Sequence, residues 1–291
     1  MQDWIGHFLQ RERLPEAYRL TISNALLPLG AAIAARARLS DHLVVVGLCG
    51  AQGSGKSTAA AALVEILQRE DLPAVALSID DFYLPRAERI ALARTVHPLL
   101  VTRGVPGTHD VELAQATIDS LAEDEPTLLP SFDKAIDDRL PRGQWRLCQG
   151  PMRVVILEGW CVGALPQTAA QLAQPVNALE RDEDPDGRWR GYVNAALTSR
   201  YPALFNRLSL LALLAAPSFE VVHRWRSEQE QRLRERLARE GGDASRVMND
   251  AAIARFIAHY ERVTRHILQE MPLRADHLIC LDEQRGARFL R

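Results

Sequence analysis

Short apolar runs separated by longer amphipathic stretches set the layout of this chain of 291 residues. Residues 44–49, 74–79, 153–157, 208–215 and 277–281 are mostly apolar at successive positions, the pattern of strands covered on both faces. Between and after them, apolar residues recur at helical spacing, which predicts helices over 56–68, 111–122, 166–171, 219–240 and 250–269. Strands alternating with helices predict an α/β fold with a mostly parallel sheet and helices on both faces. Residues 1–40 read as two helices preceding that core, punctuated by Pro15 and Pro28. Two stretches read as irregular: 95–110, with Pro98, Gly104, Pro106 and Gly107, and the charge-dense 180–191. The economical organisation is an N-terminal helical extension over 1–40 and one main domain over 41–291.

Composition narrows the class. With 47% apolar and 25% charged residues, the chain has material for an ordinary globular core. A net charge of −2 supplies no general attraction to nucleic acid or an anionic membrane, so neither is expected as a partner. The longest apolar run, 208–217, is about half the ~20 residues a spanning helix needs. Arg11, Arg13, Arg19, Arg36 and Arg38 enrich the start in positive charge, but Asp3, Glu12 and Glu16 are interspersed. Ile5, Phe8, Leu9, Leu26, Leu27 and Ile33 also follow helical spacing, so a packed extension is the better reading than a targeting segment. Cys49, Cys148, Cys161 and Cys280 form no C-x-x-C pair and mostly lie in or beside apolar runs. Buried reduced thiols and a cytoplasmic location are expected. Nothing in the sequence sets an oligomeric state.

The chemistry begins where the first strand ends. Gly50-Ala51-Gln52-Gly53-Ser54-Gly55-Lys56-Ser57 is a complete G-x-x-x-x-G-K-[ST] phosphate loop between a strand and an Ala-rich helix that includes Thr58. Its amides form an anion nest at a helix N-terminus, so a nucleoside triphosphate is the expected ligand. Lys56 would reach the β- and γ-phosphates, and Ser57 would ligate Mg²⁺. Lys occurs only at Lys56 and Lys134, every other basic residue being Arg, so both lysines stand out. The fold expected from these features is a phosphate-loop NTPase three-layer sandwich.

Two further strand ends carry acids, and parallel α/β sheets bind ligands at those ends. Ser78-Ile79-Asp80-Asp81-Phe82-Tyr83 offers Asp80 as the group that orients or deprotonates an acceptor hydroxyl. On a continuing strand the two aspartates would face opposite ways. Asp80 follows the smaller face, with Asp81 left to hold the loop or an outer water. Glu158, at the tip of the third strand, is the candidate partner of Mg²⁺, with a structural ion pair as the alternative. Lys134 and Arg103 are candidates for holding a substrate carboxylate or screening the transferring phosphoryl group. His97 and His109 read as structural histidines.

Together these strings resemble phosphate-loop small-molecule kinases akin to uridine kinase, pantothenate kinase and phosphoribulokinase. The chain is most similar in pattern to the D-glycerate 3-kinase family. That likeness rests on the loop through Thr58, Ser78–Leu84, His97–Leu100, Arg103–Asp110, Phe132–Lys134, Asp137–Arg139 and Glu158–Gly163. It continues with Trp225–Glu230 and Tyr260–Arg262 through His266. The resemblance implies ATP-dependent phosphorylation of a small hydroxy acid such as D-glycerate, with Tyr83 near the acceptor. Another small alcohol, nucleoside-like or pantothenate-like, is the alternative acceptor, and a nucleotide-dependent binding module the alternative class. By analogy with a sugar-binding carboxylate, Asp110 either accepts hydrogen bonds from substrate hydroxyls or caps the helix starting at Val111.

Residues 219–240 place Val222, Trp225, Leu233 and Leu237 on one face among many arginines. A lid over roughly 219–247, bringing Arg224 or Arg226 onto the phosphates, competes with a solvated helix of Arg–Glu pairs. Asp182-x-Asp184-x-Asp186-Gly187 imitates a calcium loop, but Val193 stands at the twelfth position and Pro185 lies inside, so calcium is rejected.

Overall fold

β1 (Val44–Gly50) is buried at every residue, and its side chains divide between two cores. Val44, Val46 and Leu48 enter one apolar layer, while Val45 and Cys49 enter the other. A strand placed this way must be central, which explains its unbroken apolar run. β2 (Ala74–Ser78), β3 (Val154–Gly159), β4 (Leu208–Ala215) and β5 (His277–Leu281) complete five parallel strands in the order β2–β3–β1–β4–β5. β6 (Ala287–Phe289) adds an antiparallel edge beside β5. Its three residues are too few to carry a periodic signal. The structure is a computed structural model describing residues 3–240 and 248–291, less the side chains at 232, 233 and 236–240.

α1 (Trp4–Arg11), α2 (Tyr18–Arg38) and α3 (Lys56–Gln68) lie in one layer, where Phe8, Ile22, Leu29, Ile33, Leu63 and Leu67 are buried together. Pro28 does not end a helix as its position in the sequence suggests. A π turn over Ile22–Leu26 precedes it, and the wider turn accommodates the ring and its missing N–H. α2 has 21 residues, and its mean hydropathy reaches 1.3 over its most apolar window. It is long and apolar enough by length and composition to cross a membrane, although no single apolar run reveals this. Its stripe of Ile22, Ala25, Leu26, Leu29 and Ile33 packs into the core.

α4 (Arg86–Thr95), α5 (Val111–Ser120) and α6 (Arg188–Ser199) belong to the opposite side of the sheet. The expected irregular stretch over 180–191 is instead the end of a short helix, Ala178–Glu183, and the start of α6. Buried Asp184 accepts the N–H groups of Trp189 (2.7 Å) and Arg190 (3.1 Å), so its charge serves a helix start. α7 (Phe219–Glu240) and α8 (Asp250–Glu270) close the domain. Phe219, Val221, Val222 and Trp225 are buried, so the first turns of α7 belong to the core. The part of the expected lid over 241–247, and the side chains of Leu233 and Leu237, lie outside the described residues.

Candidate active site

The phosphate loop bends through two left-handed glycines, Gly53 (φ 78°) and Gly55 (φ 85°). At Gly53 a Cβ would stand 2.7 Å from the Cβ of Trp225, so the residue must be glycine on two counts. Two contacts brace the loop from behind. Arg285 Nε donates to the Gly53 carbonyl at 2.7 Å, and the Trp225 indole donates to the Glu283 carbonyl at 2.8 Å. Gly50, Ala51, Gln52, Gly53 and Ser54 thus lead into α3, which starts at Lys56 after a Gly55 cap that offers no side chain. The first N–H groups of α3, from Lys56 through Thr58, therefore have no side-chain cap, which leaves an anion-binding N-terminus.

Strand register places the acids. Glu158 lies across from Leu48 of β1 on one side and Ser78 of β2 on the other, between the phosphate loop and the Asp80 turn. Ser57 Oγ donates to Glu158 Oε1 at 2.8 Å, while buried Oε2 has no protein partner. A hydroxyl and an underused carboxylate oxygen, side by side at an anion nest, fit a hard divalent cation such as Mg²⁺. Among the described residues no group of three or more His, Cys, Asp or Glu side chains forms a metal cage. A cation at this point would share its shell with phosphate oxygens and water.

Asp80 and Asp81 do not continue a strand. β2 stops at Ser78, and Ile79–Phe82 is a 3₁₀ turn, so alternation across strand faces does not separate the two acids. The turn directs Asp80 toward two donors, Tyr83 Oη at 2.7 Å and Lys134 Nζ at 2.7 Å. Burial opposes ionisation of Asp80, but the Lys134 and Lys56 charges and these two bonds outweigh it. Its pKa therefore falls below the usual carboxylate range. Asp81 instead accepts the Phe132 N–H at 3.2 Å, which ties the 132–139 hairpin to the turn. Burial pushes Asp81 up to about 6, with the charges of Asp80 and Glu158 adding to the shift.

The 103–110 loop is held by aromatic side chains. Trp160 Nε1 donates to the Gly104 carbonyl (2.9 Å) and Tyr260 Oη to that of Arg103 (2.9 Å). Arg103 pairs with Asp137 and lies over the Phe132 ring, beside the hairpin that carries Lys134. Asp110 caps α5 by accepting the Leu113 N–H at 3.0 Å, and its other oxygen accepts from Arg139 at 3.1 Å. The capping alternative is the one its contacts show. His109 is buried against Tyr83 and Tyr201, and burial lowers its pKa to about 4, so it is a neutral structural group.

Lys56, Ser57, Asp80, Tyr83, Lys134 and Glu158 therefore converge, with Arg103 next to them. Arg224 does not join them: it is half-exposed and pairs with Glu283 at the C-terminal turn (3.0 Å). Arg226 is held by Glu230 at 2.7 Å and lies over the Phe256 ring. Arg89 is a residue that composition conceals. Fully buried, it donates to the carbonyls of Leu84, Val101 and Asp137 and pairs with the Asp137 carboxylate. No local signal distinguishes it from the many exposed arginines. Tyr260 and Trp225 lie in the C-terminal strings of the family resemblance, which mark them without assigning a role.

The chain is similar to known kinases in sequence and in fold. Residues 45–173 match the phosphoribulokinase/uridine kinase family. The chain is 32% identical over 231 residues to an uncharacterized kinase, mug58, of Schizosaccharomyces pombe, covering 74% of this chain and 78% of that one. It is 28% identical over 228 residues to the chloroplastic D-glycerate 3-kinase of Arabidopsis thaliana, covering 75% of this chain and 46% of that protein. The fold superposes on D-glycerate 3-kinase from Cryptococcus neoformans with a TM-score of 0.73 at 24% identity, covering 91% and 97% of the two chains.

Proposed function

The chain belongs to the phosphoribulokinase/uridine kinase family of phosphate-loop kinases, and on that premise we propose that it transfers the γ-phosphoryl of ATP to a hydroxyl of a small hydroxy acid, D-glycerate first. The observation that carries this reading is Asp80: an ionised acid held by Tyr83 and Lys134, one turn beyond β2 and beside the phosphate loop. A binding module has no need of such a group facing its nucleotide. The Arabidopsis relative supports glycerate, as does the partly exposed ammonium of Lys134, which suits a substrate carboxylate.

In this mechanism Lys56 and the loop amides neutralise the β- and γ-phosphates. Ser57 and Glu158 would hold Mg²⁺, which when bound offsets charge on the phosphate oxygens. Asp80 aligns the acceptor hydroxyl and receives its proton late, since its low pKa makes it a weak base and the transition state is loose. Lys134, 59% exposed, keeps its bond to Asp80 and offers a further N–H to the substrate carboxylate, with Arg103 as second cation. Arg226 would leave Glu230 and swing onto the phosphates as the lid closes, excluding water.

The test is ADP release with MgATP over an acceptor panel of D-glycerate, L-glycerate, uridine and pantothenate. D-glycerate should give the largest stimulation. A response to uridine or pantothenate alone would keep the kinase and replace its acceptor. ATP binding with no stimulation by any acceptor would favour a nucleotide-dependent binding module.

A further inference from the structure

Arg103 has little main-chain support of its own. From Gly104 onward the loop is tied within itself and to its surroundings. The Gly104 N–H donates to Thr108 Oγ1 (2.9 Å), and Thr108 Oγ1 donates to the Val105 carbonyl (2.8 Å). The Gly107 N–H donates to Tyr201 Oη (3.1 Å). Among the described residues, the Arg103 main chain has a single hydrogen bond, the one its carbonyl accepts from Tyr260 Oη at 2.9 Å. Tyr260 belongs to α8 and is buried, 157 residues away in sequence.

We propose that Tyr260 is a positioning residue for the acceptor: by holding the Arg103 carbonyl it fixes the cation that meets the substrate carboxylate, without touching substrate itself. This inference rests on the hydroxy-acid reading and deepens it. The surroundings of the phenol favour that one bond. A Cβ at Gly104 would collide with Tyr260 Oη, so glycine makes the close approach possible, and its φ of 115° suits glycine as well. Trp160 packs edge-on against the Tyr260 ring with centroids 4.9 Å apart. Phe256, one turn earlier on α8, packs against it at 4.9 Å. Two rings therefore restrict the phenol. Burial and the Asp80 charge push its pKa well up, against the pull of Arg103 and Arg226, so the hydroxyl stays a donor.

The other end of Arg103 explains why its backbone matters. The guanidinium pairs with Asp137 and lies over the Phe132 ring, 5.5 Å from its centroid. Its side chain is thus set by the 132–139 hairpin and its main chain by α8. A guanidinium fork recognises a carboxylate over a narrow range of positions. Releasing the carbonyl lets the chain turn at Arg103 and moves that fork. Acceptor binding then weakens, while the phosphate loop, Asp80 and Glu158 keep their own supports. A role confined to packing would instead lower stability and weaken every ligand alike.

The test is a double-mutant cycle read by the KM for D-glycerate at saturating MgATP. Tyr260→Phe keeps both ring contacts and removes the hydrogen bond. It should raise that KM about 5–30-fold, the effect of one buried hydrogen bond. Its kcat should stay within about threefold, and its ATP affinity by calorimetry within about twofold. Arg103→Met should raise KM at least as much, and Tyr260→Phe added to it should change KM by less than about twofold. Trp160→Phe, which frees the neighbouring Gly104 carbonyl, should shift KM the same way and carries the same cycle if a thermal melt shows Tyr260→Phe to be unfolded. An unchanged KM overturns the proposal. So does a Tyr260→Phe effect that persists in full on Arg103→Met, or a parallel loss of ATP affinity. Those results leave the kinase reading standing, because wild type still turns over. Wild type that D-glycerate does not stimulate overturns the acceptor reading and this inference with it.

Discussion

Replacing Asp80 by Asn keeps the shape of the side chain and removes the charge facing Lys134 and Lys56. One carboxylate oxygen becomes an NH₂ group, which cannot accept from both Tyr83 Oη and Lys134 Nζ as the acid does. A positioned base contributes about 10²–10⁴-fold to proton transfer. The depressed pKa of Asp80 weakens its proton affinity, so a loss of about 10²–10³ in kcat is expected, roughly 3–4 kcal/mol of barrier. Stability at pH 7 should fall only slightly, because Lys134 is 59% exposed and the lost attraction is screened by water. A lowered folded pKa gives stabilisation that is present above the unfolded carboxylate pKa and lost as pH falls through the folded value, so any effect on melting would fade in acid. The assay is steady-state ADP release with D-glycerate, alongside ATP affinity by calorimetry and a thermal melt at pH 7. A kcat within about threefold of wild type would refute the role given to Asp80. ATP affinity falling by the same factor as kcat would do so as well.

Other perturbations probe the surroundings. Asp81→Asn keeps the acceptor for the Phe132 N–H and removes a charge whose folded pKa is about 6. Ionising that raised group costs stability as pH climbs from the unfolded value through about 6. In metal-free buffer the variant should gain about 1–3 kcal/mol in urea unfolding at pH 8, a gain that shrinks by pH 4. Gly53→Ala meets Trp225 at a positive φ, so it should lower stability by about 1–3 kcal/mol and weaken ATP binding, read by melting and calorimetry. Arg89→Met strands three carbonyls and Asp137, and urea denaturation should show a loss of about 3–5 kcal/mol. Arg226→Ala should cut kcat by about 10²-fold if its guanidinium reaches the transferring group. Arg224→Ala, which loses only an exposed pair with Glu283, should leave kcat within about twofold, so equal losses in the two would count against the lid assignment.

What the sequence determines by itself here is local in origin. The phosphate loop needs Gly53 and Gly55 for backbone geometry and Lys56 and Ser57 for charge and ligation, and these occupy consecutive positions. The five parallel strands declare themselves because each is largely buried and so mostly apolar at successive positions. Glu158 and Asp80 were legible because ligands gather at the carboxyl ends of such strands. Other features lay beyond reach for a common reason: their partners are remote in the chain. The 3₁₀ turn that replaces the end of β2 directs Asp80 to Lys134, 54 residues away, and Asp81 to Phe132. Asp110 caps α5 through one oxygen, but its other oxygen meets Arg139, 29 residues away, which no local pattern announces. Arg89 is indistinguishable from a surface arginine until folding surrounds it with carbonyls from three segments. Pro28 passes through a helix because the preceding turn widens. Tyr260 reaches the Arg103 carbonyl from 157 residues away, and no reading of either segment alone contains that bond. Covalent neighbours set backbone conformation and burial pattern, whereas electrostatic environment and cavity shape are sums over neighbours in space, which only the packed chain defines.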